Sequence, residues 1–199
     1  NRGNSYPYIF TISKSGRGIS VGHLDLVSFL FKILAMNNLN ILYSDGFHPM
    51  PRFNLAFPAP VGVEIEEEFG TVWLTDVVNE EETLDKLNSM LDKSGIVFGI
   101  FKAVDREKIK KVEKVIRTVP VQLYIAEFKN PLDYAEMRKV LQVIEFNDEK
   151  LQIKFEHQTE RGGVLKLFEN VCGDYHMIKK SYRDNLILHD YENVLKDLI

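Results

Sequence analysis

The sequence predicts an α+β fold built from two tandem ferredoxin-like units, each with the order β-α-β-β-α-β and an antiparallel sheet. The chain has 199 residues, of which 45% are hydrophobic and 27% are charged, values typical of a globular chain long enough to bury a core. Segments rich in β-branched and aromatic residues alternate with segments of helical periodicity, and the second half repeats the pattern of the first. We therefore expect a first unit over 1–104, a basic connector over 105–118 and a second unit over 119–199.

The elements of the first unit follow from local composition and spacing. Apolar residues at 24, 27, 30, 31 and 34 recur at helical intervals, and the Gly-rich stretch 15–18 indicates a turn. The predicted helices are 23–37 and 80–93. The predicted strands are 6–14, the end of 38–43, 52–57, 69–77 (which places Trp73 in the core) and 95–104.

The second unit is predicted from the same signals. Pro131 suits the first turn of a helix, and the dipeptide Asn147-Asp148 indicates a turn between two strands. The predicted elements are a strand over 119–127, a helix over 131–143, two strands within 144–156, a helix over 163–171 and a closing strand from 175–182 or 186–189. The connector 105–118 is either a helix or a mobile strap.

The charge of the chain is unevenly distributed. The net charge is −4, which argues against general binding of polyanions. Residues 1–52 nevertheless carry five basic and two acidic side chains, and 105–118 is also basic. Residues 64–92 carry ten acidic side chains against Lys86 alone. We interpret these acidic residues as the solvated surface of one helix and one turn.

The single cysteine, Cys172, excludes an intramolecular disulfide, a Cys-rich zinc site and an iron–sulfur cluster held by this chain's own thiolates. With no recognisable signal peptide, it predicts a cytoplasmic setting. No apolar run reaches the roughly 18–20 residues that cross a bilayer, so no membrane association is expected. The chain opens on Asn1 instead of Met, and we expect it to be part of a longer protein.

The densest group of unusual residues lies in 43–62, which contains four prolines, two glycines, a histidine and an arginine. Prolines fix the backbone, so the segment is either a rigid binding loop or a structural turn. The start of the first helix is a second candidate, because free N–H groups there favour anions, although His23 and Asp25 are also explained as capping and dipole-compensating residues. The candidate ligand- or RNA-binding residues are Lys14, Arg17, His23, Asp25, Tyr43, Ser44, Gly46, Phe47, His48 and Arg52.

Three of these residues are candidates for acid–base chemistry on RNA: His23, Tyr43 and His48. They form a cluster with Arg52 if the start of the first helix faces the proline-rich loop. Their spacing matches no established metal motif, so no metal is predicted, and no phosphate-loop, nucleophile-elbow, zinc-protease or dinucleotide motif is present. Arg161-Gly162-Gly163, before a predicted helix, is a weaker phosphate-binding candidate.

A series of short motifs runs through the first unit: Lys14-Ser15-Gly16, His23-Leu24-Asp25, Tyr43-Ser44-Asp45-Gly46-Phe47, Pro49, Pro51-Arg52 and Val61-Gly62-Val63-Glu64. Over residues 8–76 this series resembles the DUF2344 family of radical S-adenosylmethionine-linked domains of uncharacterised function. Two positions depart from the family pattern. Gly22 stands where the family usually has Ser, which removes a helix cap, and His48 stands where it usually has Asn, which introduces a group that titrates.

The resemblance implies a cytoplasmic accessory domain that works with a radical S-adenosylmethionine domain or protein, fused upstream or on a separate chain. It implies no cofactor in this chain. S-adenosylmethionine and a [4Fe-4S] cluster would lie on the partner, because the three cluster cysteines of such enzymes are not available here.

Three hypotheses follow. The first is a non-catalytic domain that binds structured RNA, with base stacking on Tyr8, Phe10, Phe53 and Phe57, and with phosphates meeting Lys14, Arg17, Arg52 and the basic residues of 106–117. The second is a metal-independent ribonuclease or RNA-modifying enzyme that uses His23, Tyr43 and His48. The third is a protein–protein adaptor that docks through the acidic surface of 64–92.

Overall fold

The computed structural model describes residues 4–56, 60–118, 121–128, 134–140, 142–158 and 175–181. Its elements, in chain order, are β1 (Tyr6–Lys14), a short 3-10 helix (Gly16–Ser20), α1 (His23–Met36), β2 (Phe53–Leu55), β3 (Val63–Leu74), α2 (Glu80–Met90), β4 (Ile96–Ala103), α3 (Arg106–Thr118), β5 (Val121–Phe128), α4 (Tyr134–Val140), β6 (Gln142–Asn147), β7 (Gln152–Gln158) and β8 (Tyr175–Ser181).

The described strands form one mixed sheet of eight strands in the order β4-β1-β3-β8-β5-β7-β6, with β2 also paired to β3. The groups β4-β1-β3-β2 and β8-β5-β7-β6 are each antiparallel, as predicted for the two halves, and the pairing of β3 with β8 is parallel. The helix predicted over 163–171 lies outside the described residues. The complete tandem ferredoxin-like arrangement, and the division into units at 104 and 119, therefore remain predictions.

Helix α1 packs one apolar face on the sheet. Leu26, Leu30, Ile33 and Leu34 are buried at the spacing of a single helical face. The helix begins after Gly22, which provides no side-chain hydrogen bond to cap it. The helix therefore begins without a capping side chain, and the carboxylate of Asp25 in its first turn compensates the helix dipole.

A Schellman motif ends α1. Asn38 adopts a positive φ of 58°, a conformation that Asn tolerates better than most residues. The N–H of Leu39 donates to the carbonyl of Leu34 at 3.3 Å, and the N–H of Asn38 donates to the carbonyl of Ala35 at 3.0 Å. These two bonds satisfy carbonyl groups that the helix end would otherwise expose, and they fix the position of Asn38.

One face of the first four strands carries the main core under α1 and α2. Tyr8 and Phe10 of β1 are buried there with Leu26 of α1 and Phe98 of β4. The sheet has no room for a side chain at Gly70, because a Cβ atom at that position would lie 2.0 Å from Cζ of Phe10. This glycine lets the Phe10 ring lie flat across β3.

The opposite face of the same strands is covered by α3. Ile109 and Val112 are buried beneath the helix, which packs against β1. Since strand side chains alternate between faces, Ile9 and Thr11 lie on this side and are also buried. Of the two alternatives for 105–118, the helix is therefore correct, and the segment is a packing element of the first half as well as a connector.

Several element boundaries differ from the prediction. Residues 38–43 form only isolated bridges at Ile41 and Tyr43, not a strand. Strand β3 begins at Val63 instead of 69, because β1 pairs with its first half on one edge and β8 pairs on the other. The acidic residues 64–68 therefore lie in a strand and not in a turn. Trp73 is buried, as expected.

Within the described ranges, no helix is both long and apolar enough to cross a membrane.

Candidate nucleic-acid interface

Residues 42–52 form a hairpin that projects from the edge of β3, here called the 42–52 hairpin. Its stem is closed by a hydrogen bond of 2.7 Å from the N–H of Arg52 to the carbonyl of Leu42. Ser44 donates its N–H to the carbonyl of Met50 at 2.8 Å, and its Oγ accepts from the N–H of Met50 at 3.0 Å. Gly46 turns the tip with a φ of 129°, a region that favours glycine. Ser44 and Gly46, both predicted site residues, therefore shape the loop.

Apolar side chains cover the outside of this hairpin. Phe47 at the tip is 102% exposed, Met50 is 66% exposed and Tyr43 is 48% exposed. Asp45 and His48 are also exposed. Single exposed apolar residues are ordinary, but three within one short projecting element mark a contact surface.

Trp73 joins the base of the hairpin to α3. The guanidinium carbon of Arg52 lies 5.5 Å from the centroid of the Trp73 ring, and the two backbones are joined by a hydrogen bond of 2.9 Å. On the other side, the indole N–H of Trp73 and the hydroxyl of Thr71 both donate to Oε1 of Glu113, at 3.4 and 3.2 Å. Trp73 thus contacts both the base of the hairpin and α3 on the face of the sheet that α3 covers.

The outer surface of α3 is basic. Its exposed cations, here called the α3 basic face, are Arg106, Lys108, Lys110, Lys111 and Lys114. Lys110 pairs with Glu107 at 3.0 Å, and such an exposed pair contributes little stability. Because Ile109 and Val112 fix one side of the helix in the core, the cations lie on its remaining, solvent-exposed sides. The basic residues of this segment are predicted from the sequence, whereas the contact of Glu113 with Trp73 is not.

Lys14 has a different role from the predicted one. Its side chain is fully buried, and its ammonium group donates to the carbonyls of Val21 and Pro60 at 3.0 and 3.2 Å. The expectation that Lys14 meets phosphate at the surface is therefore wrong, because the segments before α1 and before β3 close over it. Arg17, in the 3-10 helix, is exposed as expected.

His23 and Asp25 lie at the start of α1, beside the segment that precedes β3. A Cβ atom on Gly22 would lie 3.4 Å from Val61, and the N–H of Gly62 donates to the carbonyl of Ile19 at 2.7 Å. Asp25 occupies the first turn, where a carboxylate stabilises the helix dipole. This end of the helix is thus anchored near the beginning of β3.

The structure anchors His23 and the 42–52 hairpin near opposite ends of β3. The 42–52 hairpin is anchored on Trp73, ten residues along β3 from Val63, or about 33 Å at 3.3 Å per residue. The tip at His48 is about five residues from its anchor, and five extended residues reach at most about 17 Å. The structure therefore groups Tyr43, His48 and Arg52 in one hairpin and leaves His23 at the other end of the strand.

The predicted base-stacking residues of the sheet are also corrected. Tyr8, Phe10 and Phe53 are buried, and the rings of Phe10 and Phe53 stack on each other at 5.5 Å. They cannot present a face to RNA because α1 and α2 cover their side of the sheet. Phe57 lies outside the described residues. Among the described residues, the exposed aromatic side chains are Tyr43 and Phe47 of the hairpin, both of which are predicted site residues.

The glutamates of α2 serve the helix itself. Asn79 caps the helix by accepting from the N–H of Glu82 at 2.9 Å, and Oε1 of Glu80 accepts from the N–H of Ala103 at 2.7 Å. The Lys86 ammonium, hydrogen-bonded to Glu82, lowers the pKa of that carboxyl group. Glu81 and Glu82 are exposed, in agreement with the interpretation of this helix as a solvated surface, and Glu80 also links α2 to the end of β4.

A buried carboxyl group lies where the two halves meet. Glu68 of β3 is fully buried, and so is Tyr124 of β5. Burial raises the pKa of the Tyr124 hydroxyl, and the charge of Glu68 raises it further.

Within the residues that the structure describes, no group of three His, Cys, Asp or Glu side chains is placed to hold a metal ion. Cys172 and Arg161-Gly162-Gly163 lie outside those residues.

The arrangement defines a mixed α/β protein with a projecting aromatic hairpin beside a basic helix. A family model described as "Uncharacterized protein conserved in bacteria (DUF2344)" matches residues 8–172, and the chain belongs to this family. The resemblance seen in the motifs of the first unit is thereby confirmed and extends into the second half. A comparison with curated proteins found no match.

Proposed function

We propose that this chain is a non-catalytic RNA-binding accessory domain whose contact surface consists of the 42–52 hairpin and the α3 basic face. The observation that carries the proposal is the connection through Trp73, which holds Arg52 at 5.5 Å and donates to Glu113 of α3. Lysine and arginine neutralise phosphates, and exposed aromatic rings stack on unpaired bases. The two kinds of contact that RNA binding needs are thus offered by neighbouring elements.

The charge distribution supports a local site. The whole chain carries a net charge of −4, so binding must come from a restricted basic surface. From Arg106 to Thr118 the helix has six basic and two acidic residues. Glu113 is turned towards Trp73 and Thr71, which leaves the exposed side of α3 dominated by cations.

The wider arrangement is also a proposal. We propose that the domain acts with a radical S-adenosylmethionine enzyme domain, in cis or in trans, and that both halves are ferredoxin-like. The family's motifs support the first statement. The matching strand order β4-β1-β3-β2 and β8-β5-β7-β6 supports the second. The cofactor and its cluster would lie on the partner, since this chain has one cysteine.

The geometry favours binding over catalysis. A ribonuclease using His23, Tyr43 and His48 requires these side chains to converge, and the anchors of His23 and the hairpin are about 33 Å apart along β3. We expect the purified chain to leave total RNA intact, with no difference between the natural protein and His48→Ala. Cleavage that is lost in His48→Ala would instead support the catalytic alternative.

The proposal is tested by the salt dependence of binding to a structured RNA. The variant Lys110→Ala/Lys111→Ala/Lys114→Ala removes three cations of the α3 basic face. The matched control Lys32→Ala/Lys86→Ala/Lys93→Ala removes three exposed cations elsewhere. We expect the first variant to bind at least tenfold more weakly, with a salt slope reduced by roughly one for each phosphate that is no longer neutralised. Equal affinity in both variants, or no binding by the natural chain, would contradict the proposal.

A further inference from the structure

A partly open cavity of about 360 Å³ lies between the end of α1 and the base of the 42–52 hairpin. The residues that line it include the aromatic residues Phe31 and Tyr43 and the carboxamide residues Asn38 and Asn40. The volume falls within the range of roughly 300–1,000 Å³ that is usual for small-molecule sites. None of the residues that line it is charged, so the cavity suits a flat neutral group better than a phosphate or a carboxylate.

The polar residues of the lining are held in place. The backbone of Asn38 is fixed by the Schellman motif at the end of α1, with its φ of 58°. Asn40 donates from Nδ2 to Oδ2 of Asp76 at 2.7 Å, which orients its amide group. The backbone of Tyr43 is fixed by its bridge to Pro51 in the hairpin stem. An aromatic ring beside a positioned carboxamide is the combination that proteins use to hold an unstacked base.

We propose that this cavity takes a single unstacked nucleobase, which stacks on Tyr43 while the carboxamide of Asn38 meets its polar edge. A carboxamide offers one donor and one acceptor side by side, the pattern complementary to adenine. The inference deepens the proposed function, on which it rests for the source of the base in RNA. A free adenine nucleotide carries the same base.

A purely structural explanation of Asn38 is that Asn tolerates the left-handed conformation that ends α1. Glycine tolerates this conformation still better, so Asn38→Gly preserves the helix end while removing the carboxamide. Tyr43→Phe likewise keeps the stacking ring, whereas Tyr43→Leu removes it. These substitutions separate recognition of a base from stability of the fold.

The test measures binding of adenosine 5′-monophosphate, oligoadenylate and oligouridylate to the intact chain by calorimetry, with urea unfolding of each variant as the stability control. We expect oligoadenylate to bind more tightly than oligouridylate. We also expect Tyr43→Leu and Asn38→Gly each to weaken oligoadenylate binding roughly fivefold or more, with Tyr43→Phe close to the natural chain. Asn38→Gly should unfold at the same urea concentration as the natural chain or a higher one.

The arms of this experiment distinguish the two sources of the base. Binding of the mononucleotide that both variants weaken shows that the cavity accepts a free nucleotide. Binding of oligoadenylate alone, weakened by both variants, shows that the base is presented within RNA. The inference is overturned if Tyr43→Leu and Asn38→Gly bind both adenine ligands as the natural chain does, or if the natural chain binds neither. Loss of RNA binding on removal of the α3 cations is scored separately, because it tests only the proposed function.

Discussion

The guanidinium of Arg52 lies over the indole ring of Trp73, with its central carbon 5.5 Å from the ring centroid. Arg52 ends the projecting hairpin, and Trp73 belongs to the long strand at the centre of the first half. The same indole donates to Oε1 of Glu113 in α3, on the face of the sheet that α3 covers. An exposed cation at the hairpin base is thereby positioned by a buried side chain.

Two substitutions of Arg52 should separate what its charge contributes to RNA binding from what its planar contact with Trp73 contributes. We expect Arg52→Ala to weaken RNA binding roughly threefold to tenfold and to lower the salt slope by about one. Arg52→Lys keeps the charge but loses the planar contact with Trp73. It should retain the salt slope. Filter binding at several salt concentrations checks both results, and an unchanged slope in Arg52→Ala would place Arg52 outside the interface.

Phe47 should contribute to binding but not to folding. Its side chain is 102% exposed, so Phe47→Ser is expected to change the free energy of unfolding by no more than about 0.5 kcal/mol. Stacking of a base on an aromatic ring contributes about 1–3 kcal/mol, so affinity for RNA with unpaired bases should fall about fivefold or more. The salt slope should stay the same, since no charge is removed. Unchanged affinity would show that the tip does not touch RNA.

Adding a side chain should have opposite effects on the stability of the protein at two glycines. Gly70→Ala places a methyl group 2.0 Å from the ring of Phe10 and should destabilise the protein by about 1–3 kcal/mol or more. Gly22→Ser meets Val61 only at an ordinary contact distance of 3.4 Å and supplies a helix cap, which should stabilise the protein by a few tenths of a kcal/mol. Urea unfolding of both variants measures the difference. Equal effects would contradict the packing of Phe10 on β3.

The stability of the protein should fall at high pH because of Tyr124. Its pKa in the folded state is raised above the ordinary value of 10.0, so the unfolded chain loses this proton first. The contribution is complete below pH 10 and is lost as pH rises above it, by about 1 kcal/mol between pH 10 and 11. Comparing urea unfolding of Tyr124→Phe with the natural chain isolates this decline. Identical slopes against pH would show that Tyr124 titrates normally.

Much of the first half was predictable because its signals are local. The aromatic and β-branched run of residues 6–14 gave β1 with both ends correct, and helical spacing placed the start of α1 at His23. The hairpin was recognised as a loop from its prolines and Gly46. What local signals do not contain is the direction in which that loop projects, which depends on pairing with Trp73.

The errors have a common physical cause in contacts between distant segments. Tyr8 and Phe10 were expected to stack on bases, but an alternating strand does not reveal that both of its faces are covered. The other face is covered by α3, in which the buried Ile109 and Val112 are obscured by the charged residues around them. Lys14 was assigned to the surface from its residue type alone, and its burial depends on the carbonyl of Pro60, 46 residues away in sequence.

The central claim is that RNA contacts the 42–52 hairpin and α3 together. Ultraviolet crosslinking of the intact chain to RNA, followed by mass spectrometry of the modified peptides, tests it most directly. We predict crosslinked peptides from the hairpin, with Phe47 and Tyr43 as the modified residues, together with peptides from α3. Crosslinks confined to α2 and the strand residues 64–68, with none on the hairpin or α3, would contradict it.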